Sequence, residues 1–238
     1  MSRMFDVVTH TWNPVVGCTH RCRYCWARRL VEEGRLKSRY GDFKPKFYPE
    51  RLRKIPMKGY VFVVDMGDLF SDGVPDEWII KVLNHIRKFP NTYFLLLTKN
   101  PKRYLAFGRV LEEIDNVVLG ATIETDLDSL YLKHRISKAP LPCSRLQCME
   151  LLSVTSRTMI SIEPIIDFDL NIFPDLIVKA EPEFVYVGYD NYGNKLPEPS
   201  LRKTMELIDM LKEHGITVYT KTLRKAWYEV QGPKHAQA

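Results

Sequence analysis

The chain has 238 residues, 45% of them apolar and 27% charged, with a net charge of +6; this is a globular balance, which excludes a disordered chain. No apolar run approaches the roughly 20 residues of a membrane span, and no charged segment followed by an apolar core opens the chain, so a cytoplasmic protein with no membrane partner is expected. Five cysteines, three of them within eight residues and Cys143 and Cys148 far downstream, do not form a disulfide framework, and in a reducing compartment such a cluster suggests metal.

No repeat or low-complexity tract divides the sequence, and one domain over residues 1–238 is expected. The first strand is predicted at Phe5–Thr9, followed by the cysteine-bearing loop Gly17–Cys25 and a helix over Tyr24–Glu33. Residues 35–58 form a basic insertion, in which nine Lys or Arg against Asp42 and Glu50 give a local charge of +7. Tyr40, Phe43, Phe47 and Tyr48 are interleaved with these cations, a mixture suited to phosphate contact and base stacking; a solvated Lys-rich surface is the ordinary alternative. Further strands are predicted at Tyr60–Met66, Thr92–Thr98, Asn116–Ile123, Arg157–Ile162, Phe184–Gly188 and Ile216–Thr220. Helices open at Val74-Pro75 and Asn100-Pro101 and run to about Arg87 and Leu111, because a proline suits the first helical turn. Two more are predicted at Leu146–Ser156 and Ser200–His214, the last ended by Gly215.

Continuously apolar runs such as Phe94-Leu95-Leu96-Leu97 fit strands covered on both faces of a parallel sheet. The alternation therefore reads as an α/β fold, a partial parallel (βα)6-type barrel with a possible seventh strand; an open doubly wound sheet is the alternative. In such barrels the chemistry collects at the carboxyl ends of the strands. Gly67-Asp68, Lys99, Glu124, Glu163, Asp190 and Lys221 follow successive strands there, so all are expected to face one cavity.

Cys18, Cys22 and Cys25 have the spacing C-x3-C-x2-C. Thiolates are the usual ligands of iron–sulfur cubanes, and three of them leave one iron open to a cofactor. Structural zinc, with His20 or His10 as a fourth ligand, is the competing reading and would make the chain a zinc-stabilised nucleic-acid-binding module.

With Tyr24 directly before Cys25, this motif resembles that of the radical S-adenosylmethionine superfamily. Thr11-Trp12-Asn13-Pro14, Met66-Gly67-Asp68-Leu69-Phe70, Leu97-Thr98-Lys99, Gly120-Ala121-Thr122-Ile123-Glu124 and Ser161-Ile162-Glu163-Pro164 further resemble a phage- and prokaryote-associated subgroup of largely unassigned function. That subgroup tends to carry Gly-Gly-Glu where this chain has Gly188-Tyr189-Asp190. A more distant resemblance is to spore photoproduct lyase, a radical enzyme that repairs a DNA lesion.

The resemblance implies a 4Fe-4S cluster on Cys18, Cys22 and Cys25, an electron-donor protein, and reductive cleavage of S-adenosylmethionine to methionine and a 5'-deoxyadenosyl radical that takes hydrogen from a substrate. It also implies that Gly67 lets the backbone approach the cofactor, with Asp68 accepting from its ammonium. Lys99 is the candidate for its carboxylate, Glu124 for the ribose hydroxyls, and Tyr24 or Trp26 for the adenine. Glu163 is the candidate catalytic carboxylate, because a charge directly after a β-rich run is costly without a ligand or a cation. Cys143 is a candidate hydrogen-atom donor, since spore photoproduct lyase uses a thiol; with Cys148 it also reads as an ordinary residue or half of a disulfide. The basic insertion favours a nucleic acid or nucleotide substrate, with a peptide or small metabolite as the alternative.

Overall fold

The computed structural model describes residues 5–53 and 59–230. Its frame is a seven-stranded sheet in which every neighbouring pair is parallel. In chain order the strands are β1 (His10–Trp12), β4 (Gly59–Val63), β5 (Thr92–Thr98), β6 (Val117–Thr122), β7 (Thr158–Ile162), β8 (Phe184–Val187) and β9 (Thr217–Thr220). They also lie side by side in that order. A two-stranded antiparallel ribbon of β2 (Val15–Val16) and β3 (Lys46–Phe47) stands apart. The seventh strand is therefore present, and β1 and β9 are unpaired edges among the described residues, so the sheet does not close.

Both faces of the inner strands β6 and β7 are fully buried, and those of β5 nearly so, which is why their sequences run largely apolar. Val61, Val63, Phe94, Leu96, Ile160 and Ile162 pack into one large core with residues of the helices. The alternate set, Phe62, Leu95, Val118, Met159 and Tyr186, packs with Phe5 and Val8. Gly120 belongs to this second face, because a Cβ there would meet the Met159 sulfur at 2.6 Å.

Nine α-helices are described: α1 (Trp26–Glu32), α2 (Lys37–Tyr40), α3 (Asp76–Ile86), α4 (Lys102–Ala106), α5 (Gly108–Leu111), α6 (Asp128–Lys133), α7 (Pro142–Ser153), α8 (Phe173–Lys179) and α9 (Leu201–Glu213). In α3 the residues Ile79, Val82, Leu83 and Ile86 recur at helical spacing and are all buried. Ser200 caps α9 by accepting from the Lys203 amide at 3.2 Å. No described helix is long and apolar enough to cross a membrane.

Three sequence expectations shift. Phe5–Thr9 is not a strand: β1 begins at His10, and Phe5 turns inward to sit edge-on to Phe62 and Tyr186. The expected single helix after Pro101 breaks at Phe107, a ring 7% exposed and set against Phe70, with helix-weak Gly108 next. Finally, α7 opens at Pro142 rather than Leu146, because the proline occupies its first turn and the Asp128 carboxylate accepts from the Cys143 amide at 3.1 Å.

Candidate functional site

The carboxyl ends of the strands surround a cavity of about 990 Å³, whose lining includes Cys18, Cys22, Cys25, Lys99, Glu163 and Lys221. The cysteine loop leaves β2 and is fastened to the end of β4. Gly17 forms an isolated parallel bridge with Gly67, its amide donating to the Met66 carbonyl at 3.0 Å and its carbonyl accepting from the Asp68 amide at 3.4 Å. From the other side the Cys18 amide donates to the Phe43 carbonyl at 2.9 Å. Gly17 has φ +103°, and a side chain on it would strike the Lys44 carbonyl at 2.3 Å.

A Cβ at Gly67, which lines the cavity, would lie 2.5 Å from the Gly17 carbonyl oxygen, so the glycine permits the close approach of the cysteine loop. Gly67→Ala is accordingly expected to displace the loop and to destabilise the protein by about 1–3 kcal/mol, the usual range for overpacking. Thermal unfolding checks this, and an unchanged melting temperature would show that the clamp is slack.

The three thiols are free. The His20 amide lies 3.4 Å from Cys18 Sγ, the Arg28 amide 3.3 Å from Cys25 Sγ at the start of α1, and Cys22 Sγ 3.2 Å from Ser137 Oγ. Burial, with Asp68 and Cys22 adding repulsion, pushes the Cys18 thiol well above its ordinary pKa; burial and Cys22 likewise raise Cys25. The Cys18 and Cys25 thiolates therefore require compensating positive charge.

Asp68 is 5% exposed, and its carboxylate already accepts from His20 Nε2 at 2.9 Å, Thr98 Oγ1 at 2.8 Å, and the Lys99 and Phe70 amides, both at 2.9 Å. Burial opposes its charge, but His20, the Lys99 amide and Thr98 outweigh that and hold it below the usual carboxylate range. Asp68 also lines the cavity, and through these donors it orients His20 and the Lys99 backbone.

Glu124 is fully buried and does not line the cavity. Arg145 Nη1 donates to its Oε2 at 2.7 Å, Tyr24 Oη donates to its Oε1, and Lys99 Nζ stands 3.9 Å away. Burial disfavours its charge, yet Arg145 and Lys99 prevail and lower its pKa. Glu124 thus holds Tyr24 and Lys99 in place and has no oxygen free for ribose.

Arg145 is the residue that sequence reasoning missed. It has no exposed surface, and it also donates to the Pro140 and Thr122 carbonyls and to Tyr131 Oη.

Lys99, Tyr24 and Trp26 all line the cavity, with Lys99 Nζ 5.3 Å from the centre of the Tyr24 ring. Glu163 lies there too, its Oε2 accepting from Lys221 Nζ at 2.6 Å; burial raises its pKa against the pull of Lys221 and Lys99. Asp190 lines the same cavity and accepts from the Asn194 amide and side chain, both at 2.7 Å.

Cys143 is not brought to the cavity. Its thiol, in the first turn of α7, donates to the Asp126 carbonyl at 3.0 Å, and burial pushes its pKa up to about 11. Cys148 is free on the same helix, so the pair is not a disulfide.

The aromatic residues of the basic insertion are committed to packing. Tyr40 and Phe43 are buried with Val16, Ala27 and Val31, Phe47 stacks on Trp78, and Tyr48 carries the Arg51 guanidinium at 4.1 Å. Tyr40 and Phe43 are thus withdrawn from solvent, whereas Phe47 and Tyr48 stay half-buried. Lys54 and Lys58 lie outside the described residues.

Among the described residues zinc has one candidate cluster, since the ligand atoms of Cys18, His20 and Asp68 lie within 4.8 Å of one another. His10 lines the cavity but is not a member of that trio. The donors already held by Asp68 weigh against zinc there.

A family model described as protein of unknown function (DUF5131) matches residues 4–171. No curated protein matches the sequence. Among solved structures, Streptococcus suis SuiB bound to S-adenosylmethionine is 11% identical with a TM-score of 0.62, covering 91% of this chain and 51% of its own. SuiB bound to the precursor peptide SuiA is 12% identical, with a TM-score of 0.62 over 91% and 49%. A double mutant of spore photoproduct lyase with bound AdoMet and dinucleoside spore photoproduct is 11% identical, with a TM-score of 0.60 over 89% and 76%. These are likenesses of fold, and the chain spans about half the length of SuiB.

Proposed function

The chain belongs to the family described as protein of unknown function (DUF5131), and from the site it carries we propose that it is a radical S-adenosylmethionine enzyme. The observation that carries this reading is the set of three free cysteines, one loop's length apart, lining a large cavity at the carboxyl ends of a parallel sheet. The donor set fits a 4Fe-4S cluster: three soft thiols, backbone amides pointing at two of the sulfurs, and a buried loop in which thiolates are stable only beside positive charge. Bound there, the cluster would supply the electron that reductively cleaves S-adenosylmethionine to methionine and a 5'-deoxyadenosyl radical.

The chain's own residues do the binding and orienting. Lys99, held by Glu124 and by the Asp68 carboxylate on its amide, is the cation for the methionine carboxylate. Tyr24 and Trp26 present rings to the adenosine. Glu163 with Lys221 stands at the ends of β7 and β9 and faces the substrate, where the carboxylate, its pKa raised by burial, can hold or pass a proton. The fold is shared with structures that contain S-adenosylmethionine, which supports the cofactor.

For the substrate we favour a nucleic acid or nucleotide, now on Tyr192, an aromatic 54% exposed among the cavity lining and available to stack on a base. A peptide, as bound by SuiB, is the alternative. The test is anaerobic incubation of the reconstituted protein with dithionite and S-adenosylmethionine. Formation of 5'-deoxyadenosine and methionine is expected, and its absence from a protein holding a full cluster would overturn the reading. Lys99→Ala should weaken cofactor binding about tenfold or more at unchanged iron content, since a charged hydrogen bond is worth about 1.5–3 kcal/mol. Equal affinity in calorimetry would return Lys99 to a structural role.

A further inference from the structure

Residues 35–53 form the outer wall of the cysteine loop. The Phe43 carbonyl accepts from the Cys18 amide at 2.9 Å, the Lys44 carbonyl crowds Gly17, and Lys46–Phe47 pairs with Val15–Val16 just before the loop. The aromatic rings of this wall point into the core, whereas Arg35, Lys37, Arg39, Lys44, Lys46 and Arg53 are exposed. Their acidic neighbours are few: Asp42 is paired with Lys46 at 3.0 Å, and Glu50 is the other. None of these cations lines the cavity, and Phe43 is the segment's contribution to its lining. The charge thus lies outside the cavity lining, on the segment that backs the cysteine loop.

We propose that this basic face is the docking surface for a small acidic electron-carrier protein. The inference rests on the radical S-adenosylmethionine reading, under which each cleavage consumes one electron: the carrier is oxidised by one electron, the bound group is reduced by one, and no bond or proton changes hands between the proteins. A carrier has only to come close to the cysteine loop from outside, and backbone in contact with Cys18 separates it from the ligands. A nucleic-acid substrate must instead deliver a carbon atom into the cavity, which these cations do not border. Charge complementarity between a basic face and an acidic carrier raises the encounter rate and makes it steeply dependent on salt.

The test uses the reconstituted protein, a reduced acidic [2Fe-2S] ferredoxin as probe, and the triple variant Lys37→Glu, Arg39→Glu, Lys44→Glu, whose side chains are exposed. Two quantities are read: ferredoxin binding by calorimetry, and the second-order rate of electron transfer followed in a stopped-flow absorbance trace. The wild-type rate should fall as salt rises, and the variant should be slower by about tenfold or more at low salt, with ferredoxin binding weakened in step. Reduction by dithionite, and 5'-deoxyadenosine formed with it, should be unchanged in the variant. This dithionite arm separates the two claims: no deoxyadenosine from wild type with dithionite refutes the enzyme class, not the surface. Equal ferredoxin rates in both proteins would overturn the docking surface. A variant that keeps ferredoxin binding but loses binding of a single-stranded or duplex oligonucleotide would assign the face to nucleic acid instead.

Discussion

Replacing any one of Cys18, Cys22 or Cys25 with alanine is expected to remove nearly all bound iron and sulfide and, with them, all cleavage of S-adenosylmethionine. Under the proposed function each thiol would be the sole protein donor to one iron, because no other described cysteine is near: Cys143 and Cys148 sit on α7, outside the cavity lining. His20 cannot substitute, being held at 2.9 Å by the Asp68 carboxylate. Cys143→Ala and Cys148→Ala should keep full iron and full activity, since Cys143 donates its thiol proton to the Asp126 carbonyl and reaches no cofactor. Iron and acid-labile sulfide assays with product analysis check the set. A Cys22→Ala protein with a complete cluster would contradict the assignment, and an inactive Cys143→Ala protein with a complete cluster would restore the hydrogen-donor role.

The second large effect is expected at Arg145. Arg145→Leu leaves Glu124 fully buried, with its nearest remaining cation, Lys99, at 3.9 Å, and removing one partner of a buried pair typically costs about 3–5 kcal/mol. Against a total stability of roughly 5–15 kcal/mol, this should lower the melting temperature by about 10 °C. The Tyr131 hydroxyl and the carbonyls of Pro140 and Thr122 also lose a donor. The double variant Arg145→Leu, Glu124→Leu should recover part of the loss, because replacing both charges removes the uncompensated one. Calorimetry of the three proteins decides it. A drop in Arg145→Leu of under about 2 °C would mean that Glu124 is satisfied without the arginine.

The parallel sheet was legible because burial on both faces leaves a plain apolar signature: Thr92–Thr98 is strand β5 to the residue, and Phe184–Gly188 and Ile216–Thr220 overrun β8 and β9 by one residue each. The cysteine motif was legible from spacing alone. Assignments of charged residues were weaker, since a strand-end position tells which end of the sheet a side chain occupies but not which neighbour claims it. Asp68 lines the cavity and Glu124 does not, and both accept from internal donors. Arg145 left no trace because the sequence of α7 has no clear apolar stripe, and arginine is among the residues least often buried. Its one sequence signal was indirect: a carboxylate following the wholly apolar run of β6 needs a cation. In the basic insertion, composition cannot show that Tyr40 and Phe43 turn inward while Arg39 and Lys44 stay in solvent.

The account stands or falls on what the three cysteines hold. The most direct measurement is the iron, sulfide and zinc content of the full chain purified and reconstituted without oxygen. Four irons and four sulfides per chain are expected for a 4Fe-4S cluster, lost together in the Cys22→Ala protein. One zinc and no sulfide, retained after exposure to iron and sulfide and lost on mutating His20 or Asp68, would identify a zinc site on Cys18, His20 and Asp68 and contradict the radical S-adenosylmethionine reading.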